Sequence, residues 1–148
     1  MEYRFARRVT SIAPSPTVAV SDRARQLQAA GHDVIDLGGG DPDFPTPAHI
    51  VAAAADAMEA GDTHYVASPG IPELRRAIVE KLRRENGLTY SVDEIIVTPG
   101  GKPAIFAAIM TLIDRGDEVL ILDPGWVSYA PEVVIAEGVP VGVPLSPE

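Results

Sequence analysis

The spacing of the hydrophobic residues changes near residue 90. Before that point, apolar residues recur every three or four positions, which predicts helices over 16–30, 47–60 and 72–86. After it, short apolar runs alternate with two further helical stretches; the runs are Glu94–Val97, Val119–Leu122 and Val139–Val143. An alternation of strand and helix is typical of a parallel sheet with right-handed crossovers. The pattern therefore predicts an α/β fold with three parallel strands, the second of them buried on both faces.

Capping residues predict where these helices begin, and the spacing of apolar residues predicts which face of each helix is buried. Thr46 supplies a capping hydroxyl, and Pro47 would take the first helical position, where its missing N–H costs nothing. In the third helix Ile71, Leu74, Ile78 and Leu82 share one face, so that Arg75, Arg76, Glu80 and Arg83 are expected to face away from it. The basic stretch up to Ala13 has no such pattern and is predicted to be an arm.

Composition narrows the class of function. The 148 residues carry a formal net charge of −9, which argues against nucleic-acid binding because phosphate backbones require clustered Lys and Arg. The absence of cysteine excludes disulfides and thiolate chemistry. The basic N-terminus lacks the apolar run of a signal peptide, and no stretch has the ~20 apolar residues of a membrane span. We therefore expect a cytoplasmic protein without membrane contact.

Two loops follow predicted strands at the edge of the sheet where ligands usually bind. Thr98–Lys102 places Gly100 and Gly101 at the start of a helix, where free N–H groups can bind an anion. The alternative is a tight turn that merely needs glycine, and Pro103 after Lys102 excludes a Walker loop. The second loop carries Trp126, either a core aromatic or a flat surface for a planar ring. Together the loops suggest a flat, phosphorylated cofactor.

Several motifs in one order resemble the class I, aspartate-aminotransferase-like enzymes of pyridoxal-phosphate (PLP) fold type I. They are Gly40–Phe44 with Thr46–Pro47, Tyr65 with Pro69–Arg75, Val97–Lys102, Gly116–Val119 and Trp126–Tyr129. The resemblance implies an N-terminal arm and a helix of the small domain in residues 1–45. It assigns residues 46–148 to the first part of the large PLP-binding domain, a parallel-rich sheet flanked by helices.

The resemblance also implies a role for each matching residue. Gly100, Gly101 and Lys102 correspond to the positions whose backbone binds the PLP phosphate, and Trp126 to the aromatic residue that stacks on the pyridine ring. Gly40 corresponds to the glycine whose backbone meets the substrate α-carboxylate. Tyr65 corresponds to a tyrosine that reaches the PLP phosphate of the neighbouring subunit, which implies a homodimer. The implied substrates are an amino acid and a 2-oxo acid, and no metal is expected.

Three positions and one missing residue depart from this pattern. Gly39 and Asp41 stand where Ala and Glu are frequent, and Gly125 precedes the tryptophan, which leaves the substrate open. Neither lysine of the chain, Lys81 or Lys102, matches the lysine that holds PLP covalently, which the family places downstream of residue 148. None of the histidines (His32, His49 and His64) replaces it. The chain is therefore expected to be a fragment that is catalytically incomplete on its own.

Two other functions remain open. The chain could be a non-catalytic relic that binds a phosphate compound or a partner chain. It could also belong to a carbon–sulfur lyase or a cyclopropane-forming synthase, because these enzymes share the same N-terminal motifs.

Overall fold

The computed structural model describes residues 3–146. The helices in this part of the chain are α1 (Arg7–Thr10), α2 (Pro16–Ala29), α3 (Ala48–Glu59), α4 (Pro72–Asn86), α5 (Gly101–Leu112) and α6 (Tyr129–Ile135), with a short 3-10 turn at Val92–Glu94. The strands are β1 (Glu118–Asp123) and β2 (Val139–Pro144). The predicted order of helices and the α/β character are confirmed. Within the described residues, no helix combines the length and apolar composition needed to cross a membrane.

Strands β1 and β2 pair in parallel through the intervening helix α6. Glu118 lies opposite Val139, and the register continues to Asp123 opposite Pro144. The first predicted strand, Glu94–Val97, is wrong: in the described part of the chain the sheet has two strands, which correspond to the second and third predicted ones. Residues 95–97 are extended, but a strand needs a neighbour, and the N–H of Val97 donates instead to the carbonyl of Pro69 at 2.9 Å. The Thr98–Lys102 loop therefore follows an extended segment and not a paired strand.

The centre of the packing lies where α6 meets the sheet. Helix α6 packs against β1, β2 and α1, and Val133 on α6 is fully buried. The prediction that β1 is buried on both faces is wrong, because Leu120 and Leu122 are exposed by 71% and 58%. Both side chains lie on the same face of β1, which is therefore largely exposed in the described part of the chain.

Two helix starts differ from the prediction. Pro47 occupies the position before α3, which begins at Ala48, and Thr46 does not cap the helix. Pro47 already fixes its own φ at −53°, which directs the chain into the helix without a side-chain cap. The N-terminal arm contains the one-turn helix α1, which contacts α6.

Helix α4 uses one of its arginines differently from the prediction. Arg75 was expected to face solvent, yet its side chain is only 12% exposed. It donates to the carbonyls of Ile95, at 3.0 Å, and Val92, and lies 3.5 Å from the carboxylate of Asp93. The long aliphatic stem lets arginine cross apolar surface and place its donors at a turn. Arg75 thus fixes the 3-10 turn to α4.

The chain divides into two compact units. One comprises residues 3–41 together with 102–146 and contains the sheet; the other comprises Pro42–Gly101 and contains α3 and α4. The two units are defined by the contacts that residues make within each of them. They are not the domains of the sequence prediction, whose boundary after residue 45 stays a prediction.

Candidate functional site

The glycine turn that precedes α5 is tight and held by its own hydrogen bonds. Gly100 has a φ of 94°, in the left-handed region, and its N–H donates to the carbonyl of Thr98 at 2.8 Å. The hydroxyl of Thr98 donates to the carbonyl of Gly100 at 2.7 Å. Gly101 is the first residue of α5, a helix of 12 residues. The first N–H groups of a helix have no partner within it, so the start of α5 presents free donors and the positive end of the helix dipole.

Lys102 and Trp126 are the predicted site residues that the structure brings together. The ammonium nitrogen of Lys102 lies 5.0 Å from the centroid of the Trp126 ring, a cation–π contact. At a partly exposed site such a contact contributes about 0.5–1 kcal/mol. Tyr129 meets Trp126 edge to face, with ring centroids 5.4 Å apart and planes at 80°. Trp126 keeps 41% of its surface exposed, so it is not the core aromatic of the alternative interpretation.

A buried carboxyl group lies in the same unit. Glu132 on α6 is 6% exposed, and its Oε2 has no hydrogen-bond partner within residues 3–146. Burial raises the pKa of Glu132, and the positive charge of Lys102 acts in the opposite direction. A cavity of about 500 Å³ is lined by Glu132, Lys102, Ser128 and residues 12–16, among others. A hydrogen bond to a charged group contributes about 1.5–3 kcal/mol, so an unpaired buried carboxyl oxygen favours any donor that can reach it.

Gly125 sets the direction of Trp126 after β1. A β-carbon at this position would collide with the carbonyl oxygen of Leu122 and lie 3.4 Å from Cγ2 of Ile121. The unusual glycine before the tryptophan is therefore required by the tight return of the chain over the end of β1.

Replacing Gly125 with alanine is expected to lower the free energy of unfolding by about 2 kcal/mol, because the backbone must move to accept the methyl group. Gly142→Ala is the matched control: within the described structure no atom lies within 4 Å of the added carbon, and its effect should stay below about 0.5 kcal/mol. Urea unfolding of both variants gives the comparison. Equal stability of the two variants would show that the turn relaxes without cost.

Gly40 and Tyr65 lie in loops. Gly40 belongs to the irregular segment between α2 and α3, and no described atom lies within 4 Å of a β-carbon built on it. Tyr65 follows α3 and is fully exposed. Both positions leave the relevant group, the backbone of Gly40 and the ring of Tyr65, accessible to a ligand. Among the described residues, no group of three or more His, Cys, Asp or Glu is arranged to hold a metal ion.

Comparison with known proteins identifies the family. The family described as "Aminotransferase class I and II" matches residues 32–148. The chain belongs to this family. Its fold agrees with this assignment: it superimposes on the aspartate aminotransferase from Rhizobium meliloti with a TM-score of 0.92 at 46% identity, covering 98% of this chain. The Thermus thermophilus aspartate aminotransferase solved with maleate gives a TM-score of 0.92 at 48% identity over 97% of this chain.

Aminotransferases among the curated relatives are also close in sequence. The aspartate aminotransferase of Geobacillus stearothermophilus is 49% identical over 140 residues, or 95% of this chain. The aspartate/prephenate aminotransferase of Thermus thermophilus is 49% identical over 144 residues, or 97% of this chain. The chain spans only 36% and 37% of the length of these two relatives. It corresponds to about a third of an aminotransferase sequence.

Sequence reasoning found the glycine turn and Trp126 but missed Glu132. The signal was weak: Glu132 follows Pro131 in a helix of seven residues, where a glutamate is ordinarily a solvated residue of the first turn. Its burial depends on α6 being covered by other elements of the fold, and no local pattern in the sequence indicates that.

Proposed function

We propose that the protein carrying this chain is a PLP-dependent aminotransferase that moves an amino group between aspartate and a 2-oxo acid. The family supports amino-group transfer in general. Aspartate is supported by the names of the curated relatives, which are aspartate or aspartate/prephenate aminotransferases. The observation that carries the proposal for this chain is the pairing of Lys102, at the start of α5, with the exposed ring of Trp126.

The residues of the chain fit the phosphate and the ring of PLP. Gly101 opens α5 with free N–H donors, and the described structure leaves the space around its α-carbon open. Lys102 continues this turn as the second residue of α5, and Trp126 contributes an indole ring that is 41% exposed. These are a phosphate-binding helix start and a flat apolar surface, the two things that a phosphorylated heteroaromatic cofactor requires.

Each residue then has a specific task. Backbone groups of the turn formed by Gly100, Gly101 and Lys102 bind the phosphate, and Trp126 orients the pyridine ring by stacking. The backbone of Gly40 binds the α-carboxylate of the substrate, and Tyr65 reaches the phosphate of the neighbouring subunit in a homodimer. When bound, PLP supplies the electron sink for the bond changes at the amino-acid Cα. The domain division, with the arm and small domain in 1–45 and the large domain from 46, belongs to the same proposal.

An assay with defined substrates tests this function. The protein that carries this chain is incubated with aspartate and a 2-oxo acid, either 2-oxoglutarate or prephenate, and the oxaloacetate formed is measured. Amino transfer from aspartate supports the proposal. Cleavage of a carbon–sulfur bond or release of a cyclopropane product, without amino transfer, would place the protein in the alternative enzyme classes. Binding of phosphate compounds with no turnover of any of these substrates would indicate the non-catalytic alternative.

Removing the indole should weaken PLP binding moderately. Trp126→Ala is expected to lower PLP affinity by about 1 kcal/mol, or roughly fivefold, because the stacking surface is lost while the phosphate turn is intact. Trp126→Phe retains an aromatic face and serves as the control, with a smaller loss. Equilibrium dialysis gives both dissociation constants. An unchanged affinity in Trp126→Ala would remove this residue from the PLP site.

The proposed role of Tyr65 in the partner subunit predicts an asymmetric result in mixed dimers. One subunit carries Tyr65→Phe, and the other has intact Tyr65 but lacks the PLP-binding lysine. If Tyr65 acts across the interface, the one site with a lysine receives the intact tyrosine and should bind PLP normally. If Tyr65 acts within its own subunit, that site should bind PLP as weakly as the Tyr65→Phe homodimer. The expected loss in that homodimer is about 1.5 kcal/mol, one hydrogen bond to a charged group.

A further inference from the structure

Glu132 has no role in the proposed site, yet its environment needs an explanation. It is the one charged residue of the described chain that is buried, at 6% exposure, and its Oε2 lacks a hydrogen-bond partner there. Carboxylates in such positions are normally paired. The carboxyl group can therefore accept a hydrogen bond from any donor that reaches it from the adjoining cavity.

Lys102 is the candidate donor that carries a positive charge and borders the same cavity. It lines the same cavity of about 500 Å³ as Glu132, and its positive charge favours the ionised carboxylate. In the structure, its ammonium lies over the Trp126 ring, 5.0 Å from the centroid. The flexible four-carbon stem allows a lysine ammonium to move between neighbouring partners without any change in the backbone.

The position of Lys102 over the indole conflicts with stacking on that face. A planar ring that stacks on Trp126 must come into van der Waals contact with the indole, in the space that the ammonium now occupies. Lys102 must leave this face before a ring can occupy it. An unpaired carboxylate oxygen at the border of the same cavity is a suitable destination, because a charge-assisted hydrogen bond is at least as strong as the cation–π interaction that it would replace.

We propose that Glu132 is a positioning residue that competes with the Trp126 ring for the ammonium of Lys102 and so frees the indole face for a stacked planar ring. The identity of that ring as PLP rests on the proposed function. The competition between Glu132 and Trp126 for Lys102 does not depend on the proposed function, because it concerns only side chains of this chain.

A fluorine label on Trp126 tests the competition without any cofactor. The protein that carries this chain is made with 5-fluorotryptophan, and the ¹⁹F resonance of Trp126 is assigned by its loss in Trp126→Phe. Glu132→Gln should shift this resonance when Lys102 is present, because the ammonium then loses its second partner and no longer divides its time between the carboxylate and the ring. The same substitution should leave the resonance unchanged in a Lys102→Met background. Equal shifts in both backgrounds, or no shift in either, would overturn the proposal.

PLP binding to the same four proteins provides the second measurement. Glu132→Gln should weaken PLP binding about tenfold in the presence of Lys102 and less than about twofold with Lys102→Met, the coupling expected for residues acting through one another. A purely structural role of Glu132 would weaken binding equally in both backgrounds and contradict the proposal.

If the unsubstituted protein binds no PLP, the proposed function fails, and the fluorine experiment still decides on the competition. Should Glu132→Gln fail to fold, Glu132→Asp replaces it in both measurements, because it withdraws the carboxylate by one methylene group.

Discussion

Replacing Gly101 with valine is expected to weaken PLP binding at least about 100-fold, since two hydrogen bonds to a charged phosphate are displaced at about 1.5–3 kcal/mol each. The fold itself should be unaffected. Apart from the adjoining backbone, no described atom lies within 4 Å of a β-carbon at Gly101, and the residue is helical, without the left-handed φ of its neighbour Gly100. Valine therefore fills the space before the helix start where a phosphate would approach the backbone.

Two comparisons isolate this effect. Gly142→Val places the same side chain in equally open surroundings on β2 and should leave PLP affinity unchanged. Dissociation constants come from equilibrium dialysis, and thermal unfolding checks that both variants fold. If Gly101→Val binds PLP normally, the turn before α5 is a structural turn and not the phosphate site. If both variants lose affinity, the substitution acts through the fold.

The sequence predicted the elements whose signals are local. Helix α4 begins at Pro72 and ends before Gly87, whose φ of 67° is the left-handed conformation that glycine adopts readily. Strands β1 and β2 were recognised because their apolar runs are bounded by turns on both sides. The glycine turn and Trp126 could be found for the same reason, since each is a short motif at the end of a predicted element.

The features that the sequence failed to predict depend on contacts distant along the chain. Residues 95–97 have the composition of a strand, but their backbone conformation alone cannot provide a hydrogen-bonded neighbour. Glu132 is buried by the packing around α6, and Arg75 turns inward because carbonyls 17 and 20 residues away lie within its reach. Helical periodicity assigns a residue to a face, but it does not tell whether a long polar side chain on that face finds a partner.

Arg75 therefore allows a direct test of how much such a distant contact contributes. Arg75→Met keeps the aliphatic stem and removes the guanidinium, which leaves the carbonyls of Val92 and Ile95 without this donor. We expect the free energy of unfolding to fall by about 3 kcal/mol, because two hydrogen bonds from a charged group are lost where the side chain is only 12% exposed. Urea unfolding followed by circular dichroism gives the value.

The adjacent arginine supplies the control. Arg76 pairs with Glu73 at 2.6 Å, but their side chains are 59% and 71% exposed, and water screens a pair of this kind. Arg76→Met should therefore change stability by less than about 0.5 kcal/mol, although it removes the same group from the same turn of the same helix. Similar losses in the two variants would mean that Arg75 contributes no more than a surface ion pair. A large loss confined to Arg75→Met would show that the 3-10 turn at Val92–Glu94, which the backbone of residues 95–97 follows, is held to α4 by this one side chain.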